Sequence, residues 1–247
     1  MSTQHAVVVG GTRGLGRIVV ERFLSRGCAV SVISRHKPAE FPESPRLRHF
    51  AADLEKPASL DGLWTQISDD LGPISYLVLS QRFRGQGDPW VGEIQVGLTA
   101  SRDLIEGFAA HFTDSGDRAI GVVSSVYADY VGSSQPVGYH AVKGGLNAMV
   151  RHYAATLGRQ GIRVNAIMPL TYLKPESRAF YESNAKLMEL YHRLVPLGRL
   201  GTAEECANAI DFLCSERASF INGQSLFLDG GVSVVWQEEV AKAFSGL

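Results

Sequence analysis

A chain of 247 residues, 45% hydrophobic and 20% charged, has the make-up of a soluble globular protein with a sizeable core. Its 24 basic and 25 acidic residues leave a formal net charge of −1, so no overall field draws it to nucleic acid or an anionic membrane. No apolar run approaches the roughly 18 residues of a spanning helix. The opening residues lack the basic and apolar regions of a secretion signal. Cys28, Cys206 and Cys214 fit no disulfide or metal spacing, and the seven histidines are scattered. A cytoplasmic protein without a bound metal is the expectation.

In chain order, short apolar runs alternate with segments of helical period. A strand is expected over Ala6–Val9, then the glycine cluster Gly10-Gly11-Thr12-Arg13-Gly14-Leu15-Gly16 and a helix over Gly14–Arg26. A second strand, Ala29–Ile33, runs into Ser34-Arg35-His36-Lys37, followed by a proline-rich connection over Lys37–Pro45. Next come a strand over Arg48–Ala52, a helix over Ser59–Leu71, a strand over Tyr76–Leu79 and a helix over Gly92–His111. A strand over Ala119–Ser124, a helix over Tyr139–Gly158 and a strand over Arg163–Ile167 continue the alternation. Helices over Ser177–Arg193 and Ala203–Ser215 and a strand over Ser225–Leu228 complete it. Several strands are apolar throughout, as in sheets covered on both faces. The pattern predicts an α/β fold: one domain, 1–247, with a doubly wound parallel sheet of about seven strands and helices on both faces.

In such a sheet ligands bind beyond the carboxyl ends of the strands, where the glycine cluster sits. Glycine inside regular structure costs about 0.5–1 kcal/mol relative to alanine, so four in seven positions want a reason. A tight turn is one. The other is backbone brought close to a phosphate at a helix N-terminus. The pattern is G-x-x-x-G-x-G on Gly10, Gly14 and Gly16, neither G-x-G-x-x-G nor a P-loop. At the end of the second strand no carboxylate precedes Glu40 to hold a ribose 2′-hydroxyl. Arg35 and Arg13 are either solvated surface residues or the flanks of a 2′-phosphate, a group that guanidinium suits. The second option predicts NADP(H) rather than NAD(H).

Tyr139-His140-Ala141-Val142-Lys143 sets a phenol and an ammonium at i and i+4 on one helix face. A free tyrosine titrates near ~10, and a nearby cation lowers that value toward a range useful for general acid–base work. Upstream, Val122-Val123-Ser124-Ser125 ends a strand at the same crevice and offers a hydroxyl to orient a carbonyl.

With these pieces in order the sequence resembles the short-chain dehydrogenase/reductase family over nearly its whole length, and in particular members like 3-oxoacyl-carrier-protein reductase. The motifs that carry the resemblance begin with GGTRGLG, Asp53-Leu54, Ser124-Ser125 and YHAVK. RVNAIMP from Arg163, PLGRLGTAEE from Pro196 and INGQSLFLDGG from Ile221 follow. The resemblance implies a Rossmann-type domain, an NADP(H) cofactor and hydride transfer between carbonyl and alcohol on a small molecule. It makes Tyr139 the proton donor or acceptor. Lys143 binds the nicotinamide ribose and lowers the tyrosine pKa, and Ser125, rather than Ser124, orients the substrate oxygen. Gly10, Thr12, Arg13, Gly14, Leu15, Gly16, Ser34, Arg35, Asp53, Leu54, Ser80 and Pro169 join Tyr139 and Lys143 as cofactor contacts, with Asp53 at the adenine edge. It also implies a homotetramer or homodimer through Gly92–His111 and Tyr139–Gly158. Leu146, Met149, Val150 and Tyr153 there are either a seam between subunits or ordinary core.

Three departures stand out. The family's Asn-Asn-Ala-Gly is here Leu79-Ser80-Gln81-Arg82-Phe83-Arg84. The asparagine that holds a proton-relaying water is replaced by Gly97, and the first asparagine of the chain is Asn147. The Pro-Gly after the sixth strand is Pro169-Leu170. One reading is an active enzyme in which Arg82 and Arg84 recognise an anionic substrate or a cofactor phosphate, unless they pair with Asp88 or Glu93 in a solvated loop. The other is a cofactor-binding sensor or scaffold subunit with slow turnover. Residues 170–196 correspond to the family's substrate lid, with Tyr172 a candidate substrate contact and the other aromatic residues expected to pack the lid.

Overall fold

Every residue of β1 (His5–Val9) is buried, because strands flank it on both sides and helices cover both faces. In this computed structural model, which describes residues 3–245, six further strands join it. They are β2 (Ala29–Ser34), β3 (Leu47–Ala51), β4 (Tyr76–Leu79), β5 (Arg118–Val123), β6 (Ile162–Pro169) and β7 (Ser225–Leu228). All pairings are parallel, in the order β3-β2-β1-β4-β5-β6-β7. This is the expected Rossmann-type sheet. The order reverses between β1 and β4, whose last residues Val9 and Leu79 stand in register. A crevice therefore opens beyond them, between Gly10 and Ser80.

The strands feed two cores by their two-residue alternation. Val7 and Val9 face α2 (Leu63–Leu71), α3 (three consecutive segments, Pro89–Glu93, Ile94–Thr99 and Ala100–Ala109) and α4 (Val137–Leu157). Ala6 and Val8 face α1 (Gly14–Ser25) and α7 (Ala203–Leu213). Leu146, Val150 and Tyr153 are buried in the first core and Met149 packs against it, so the chain uses them as its own core rather than as a seam.

Three expected helices differ in detail. The one over Ser59–Leu71 is broken at Gly62, whose φ of 70° separates a 3-10 turn, Pro57–Leu60, from α2. The one over Ser177–Arg193 is split into α5 (Arg178–Glu182) and α6 (Ala185–Leu194), because the Asn184 side chain accepts from the Leu187 amide and starts a new helix. The third starts early, at Pro89, where Asp88 caps the Trp90 amide, and it contains a π-helical turn over Ile94–Thr99. Sequence periodicity also missed a short parallel pair, Tyr172–Leu173 with Gly201–Thr202, and α8 (Gln237–Ser245).

Candidate active site

The glycine cluster closes over the crevice as bare backbone. Gly10 and Gly14 lie at φ 79° and 54°, a region that favours glycine. A Cβ on Gly16 would strike the carbonyl oxygen of Gly10 and come within 2.7 Å of the Ser80 hydroxyl. That hydroxyl donates to the Val9 carbonyl at 2.7 Å and ties the turn to β1. Helix α1 has no acidic residue in its first turn and no side-chain cap from Arg13, so its first amides are directed at the crevice, an anion cradle. The crevice itself is a cavity of about 590 Å³, a volume typical of cofactor and ligand sites.

Thr12, Arg13, Gly14, Leu15, Ser34, Arg35, Asp53 and Leu54 line one end of this cavity. Arg35 there forms a half-exposed ion pair with Glu55 at 3.4 Å. Ser34 donates to the His36 carbonyl at 3.0 Å. Asp53 accepts from the Glu55 amide at 3.2 Å and lies 3.7 Å from Lys56. From the segment after β6, Glu176 reaches over the glycine turn, one carboxylate oxygen 2.8 Å from where a Gly14 Cβ would stand. The bare turn, the uncapped amides and two arginines at one mouth fit a dinucleotide with phosphate at that end.

Ser125, Tyr139 and Lys143 line the same cavity together with Pro169. The Ser125 hydroxyl accepts from the Tyr127 amide at 3.2 Å and lies beside the Tyr139 phenol, which it pulls down. Ser124 instead donates to the Lys143 carbonyl at 3.2 Å and is taken up by the scaffold. The Lys143 ammonium, 6% exposed, donates to the Val123 carbonyl at 2.8 Å and sits 5.5 Å from the centre of the Tyr139 ring. Burial brings Lys143 down to about 8, opposed by the charge of Glu93. Burial also pushes the Tyr139 phenol up, against the pull of Ser125 and Arg82. Arg82 is the cation that pulls the phenol down here, and desolvation outweighs it.

Arg82 lies 4.6 Å from the centre of the Tyr139 ring and donates to the Gln135 side chain at 2.8 Å. It makes no ion pair with Asp88 or Glu93. Arg84 and Lys174 line the cavity beside it. Lys174 lies 5.1 Å from the Tyr172 ring, and burial together with Arg84 and Arg82 pushes its ammonium down. Three cations thus crowd the rim next to the two tyrosines. Lys174 was visible in the sequence of residues 170–196, but only the fold carries it back to Arg84.

A family model described as "Enoyl-(Acyl carrier protein) reductase" matches residues 9–233. The chain belongs to the short-chain dehydrogenase/reductase family. Similar curated proteins include a 3alpha-hydroxysteroid dehydrogenase of Mediterraneibacter gnavus, 29% identical over 93% of this chain and 97% of that protein. The isoepoxydon dehydrogenase patN of Aspergillus clavatus is 30% identical over 93% of this chain and 95% of its own. Among solved structures, a Thermoplasma acidophilum aldohexose dehydrogenase superposes with a TM-score of 0.81 at 26% identity, covering 95% of each chain. A gluconate 5-dehydrogenase of Burkholderia cenocepacia, in complex with NADP and tartrate, superposes with a TM-score of 0.81 at 24% identity, over 96% of this chain and 97% of that one. The relatives are dehydrogenases, which makes this dehydrogenase/reductase an oxidoreductase. Among the described residues no helix is long and apolar enough to cross a membrane.

The departures from the family pattern have packing reasons in this dehydrogenase/reductase. A Cβ on Gly97 would strike the Val142 side chain, so the space of the family's asparagine is filled from α4. Gln81 donates to the Ser101 hydroxyl at 2.8 Å, and Ser101 donates to the Gly97 carbonyl at 2.6 Å. These bonds anchor the β4 loop to the π-helical turn of α3, a place where such turns often mark function.

Proposed function

We propose that this dehydrogenase/reductase transfers a hydride between NADP(H) and the carbonyl or alcohol carbon of a small anionic substrate, with Tyr139 as general acid and base. The observation that carries the reading is the meeting of Ser125, Tyr139 and Lys143 in the cavity whose other end is the bare glycine turn. The nicotinamide, when bound, supplies or accepts the hydride. Gly10, Gly14, Leu15 and Gly16 with Thr12 and Ser80 would hold its diphosphate, and Pro169 the nicotinamide side. Asp53 and Leu54 would meet the adenine, while Ser34, Arg13 and Arg35 would hold the 2′-phosphate, Arg35 exchanging Glu55 for it.

Ser125 orients the substrate oxygen, and the Tyr139 hydroxyl donates its proton to that oxygen as charge develops there. A phenol raised by burial stays protonated at neutral pH and suits reduction. Lys143, largely charged below about 8, binds ribose hydroxyls and stabilises the phenolate once the proton has left. Arg82 and Arg84 bind the anionic group, with Tyr172 against the substrate body and residues 170–196 as the lid. One domain, a cytoplasmic location and a homodimer or homotetramer complete the proposal.

NADPH oxidation with a panel of keto acids and neutral ketones tests it. Turnover that Tyr139→Phe abolishes, with NADPH still bound, supports the reading. Tight NADPH binding with no turnover on any carbonyl compound supports instead the sensor or scaffold subunit that Gly97 favours.

A further inference from the structure

Glu93 is a charged residue that the chemistry above does not use. It is 5% exposed, on the first segment of α3, one turn before Gly97. Its carboxylate makes no hydrogen bond and no ion pair within 4.0 Å among the described residues, whereas nearly every other buried charge in this chain has a partner. Arg163, for example, binds Asp117 at 2.9 Å. Burial raises the cost of holding a charge there, and the nearby cations Arg82 and Lys143 offset it.

What faces Glu93 is defined. It shares a cavity of about 10 Å³ with Lys143, Gln81, Arg82, Gly97 and Ser101. From α4 the charged and titratable groups are Lys143 and Tyr139, and from the β4 loop Arg82. Gln81 adds a buried carbonyl oxygen, Oε1, that has no hydrogen-bond partner among the described residues. The volume is about that of one water, and such a water needs two to four polar partners. Three of the lining residues carry such groups: Lys143, whose ammonium has hydrogens beyond the one given to Val123, and Gln81 and Glu93, whose side-chain oxygens accept.

Resting on the dehydrogenase reading, we propose that Glu93 is a positioning residue that holds the Lys143 ammonium charged and in place through their shared cavity, on the helix face where Gly97 contributes no side chain. Glu93 touches neither substrate nor cofactor; it acts through Lys143. Burial pushes the carboxyl up and the ammonium down, while each group's charge opposes the other's shift. Loss of the carboxylate charge therefore lets Lys143 fall further. Arg82 bears on Lys143 in the opposite sense.

The test is the titration of the Lys143 side-chain nitrogen by NMR in 15N-lysine-labelled protein, its resonance assigned by its loss in Lys143→Met. Neither turnover nor bound cofactor is needed. Glu93→Gln is expected to lower the Lys143 midpoint by about one unit, a tenfold change in its protonation ratio. Glu93→Asp should restore most of the shift, and Arg82→Leu should move the midpoint upward. With a working carbonyl substrate, the alkaline limb of kcat follows the same order. A Lys143 midpoint unchanged in folded Glu93→Gln overturns the proposal. Should that variant not fold, the reciprocal measurement decides: the Glu93 carboxyl must titrate higher in Lys143→Met than in the wild type, and an unchanged midpoint there overturns it equally. If the midpoints move but no carbonyl compound is turned over, the coupling stands and the dehydrogenase reading fails.

Discussion

The guanidinium of Arg82 lies over the Tyr139 ring, 4.6 Å from its central carbon to the ring centre, although the two stand 57 positions apart in the chain with all of β5 between them. A cation on the face of the proposed acid–base residue stabilises its phenolate and stands where the anionic end of a substrate would arrive. Arg82→Leu is therefore expected to raise KM for keto acids by roughly tenfold or more, the scale of a lost charge-assisted contact. KM for neutral ketones should change little. Equal losses for both substrate classes would place Arg82 in general positioning instead.

At the opposite mouth, Arg35 is held by Glu55, and the two compete for any 2′-phosphate. Arg35→Asp should weaken NADPH by about tenfold or more relative to NADH, since it replaces a guanidinium partner by a like charge. Glu55→Gln should tighten NADPH by about two- to fivefold, the scale of one exposed ion pair. Dissociation constants from cofactor fluorescence check both.

Gly97 marks a packing constraint as well as a loss. Gly97→Asn overpacks against Val142 and is expected to cost about 1–3 kcal/mol, which for a chain of this size lowers Tm by roughly 2–4 °C per kcal/mol. Combined with Val142→Ala, the loss should be smaller than the sum of the single variants, because each relieves the other. Thermal unfolding of the four proteins closes the cycle.

His5 gives the fold a pH dependence. Fully buried on β1, it pairs with the Ser31 hydroxyl at 2.8 Å and the Gly72 carbonyl at 2.7 Å, and burial holds it below its ordinary value. Below about pH 6.5 the unfolded chain takes up a proton that folded His5 refuses, so stability falls as pH drops from there and levels off only below the folded value. His5→Gln should flatten the slope of denaturant stability between pH 6.5 and 5.5 by up to about 1.4 kcal/mol per unit. An unchanged slope would mean that other groups carry it.

Much of this was legible in the sequence. Apolar runs without alternation announced a covered parallel sheet, and the glycine turn, Ser125, Tyr139 and Lys143 announced where the crevice would gather them. What stayed hidden depended on distance. Lys174 looks like one more lid cation until the fold sets it near Arg84. Glu93 reads as a solvated acid in a helix start until α4 covers it. Ser125 is the expected residue and Ser124 the lesser one, and the turn after β5 gives Ser124 to the Lys143 carbonyl and leaves Ser125 beside the phenol. The broken helices at Gly62 and Asn184 were readable from turn and capping chemistry, but helical period masked both.

Single-turnover NADPH oxidation, with a keto acid that the enzyme reduces, bears most directly on the convergence of serine, tyrosine and lysine. Tyr139→Phe should slow the hydride step by about a hundredfold or more while its NADPH dissociation constant stays within a few-fold of wild type. An undiminished rate in that variant would remove Tyr139 from the chemistry and contradict the account.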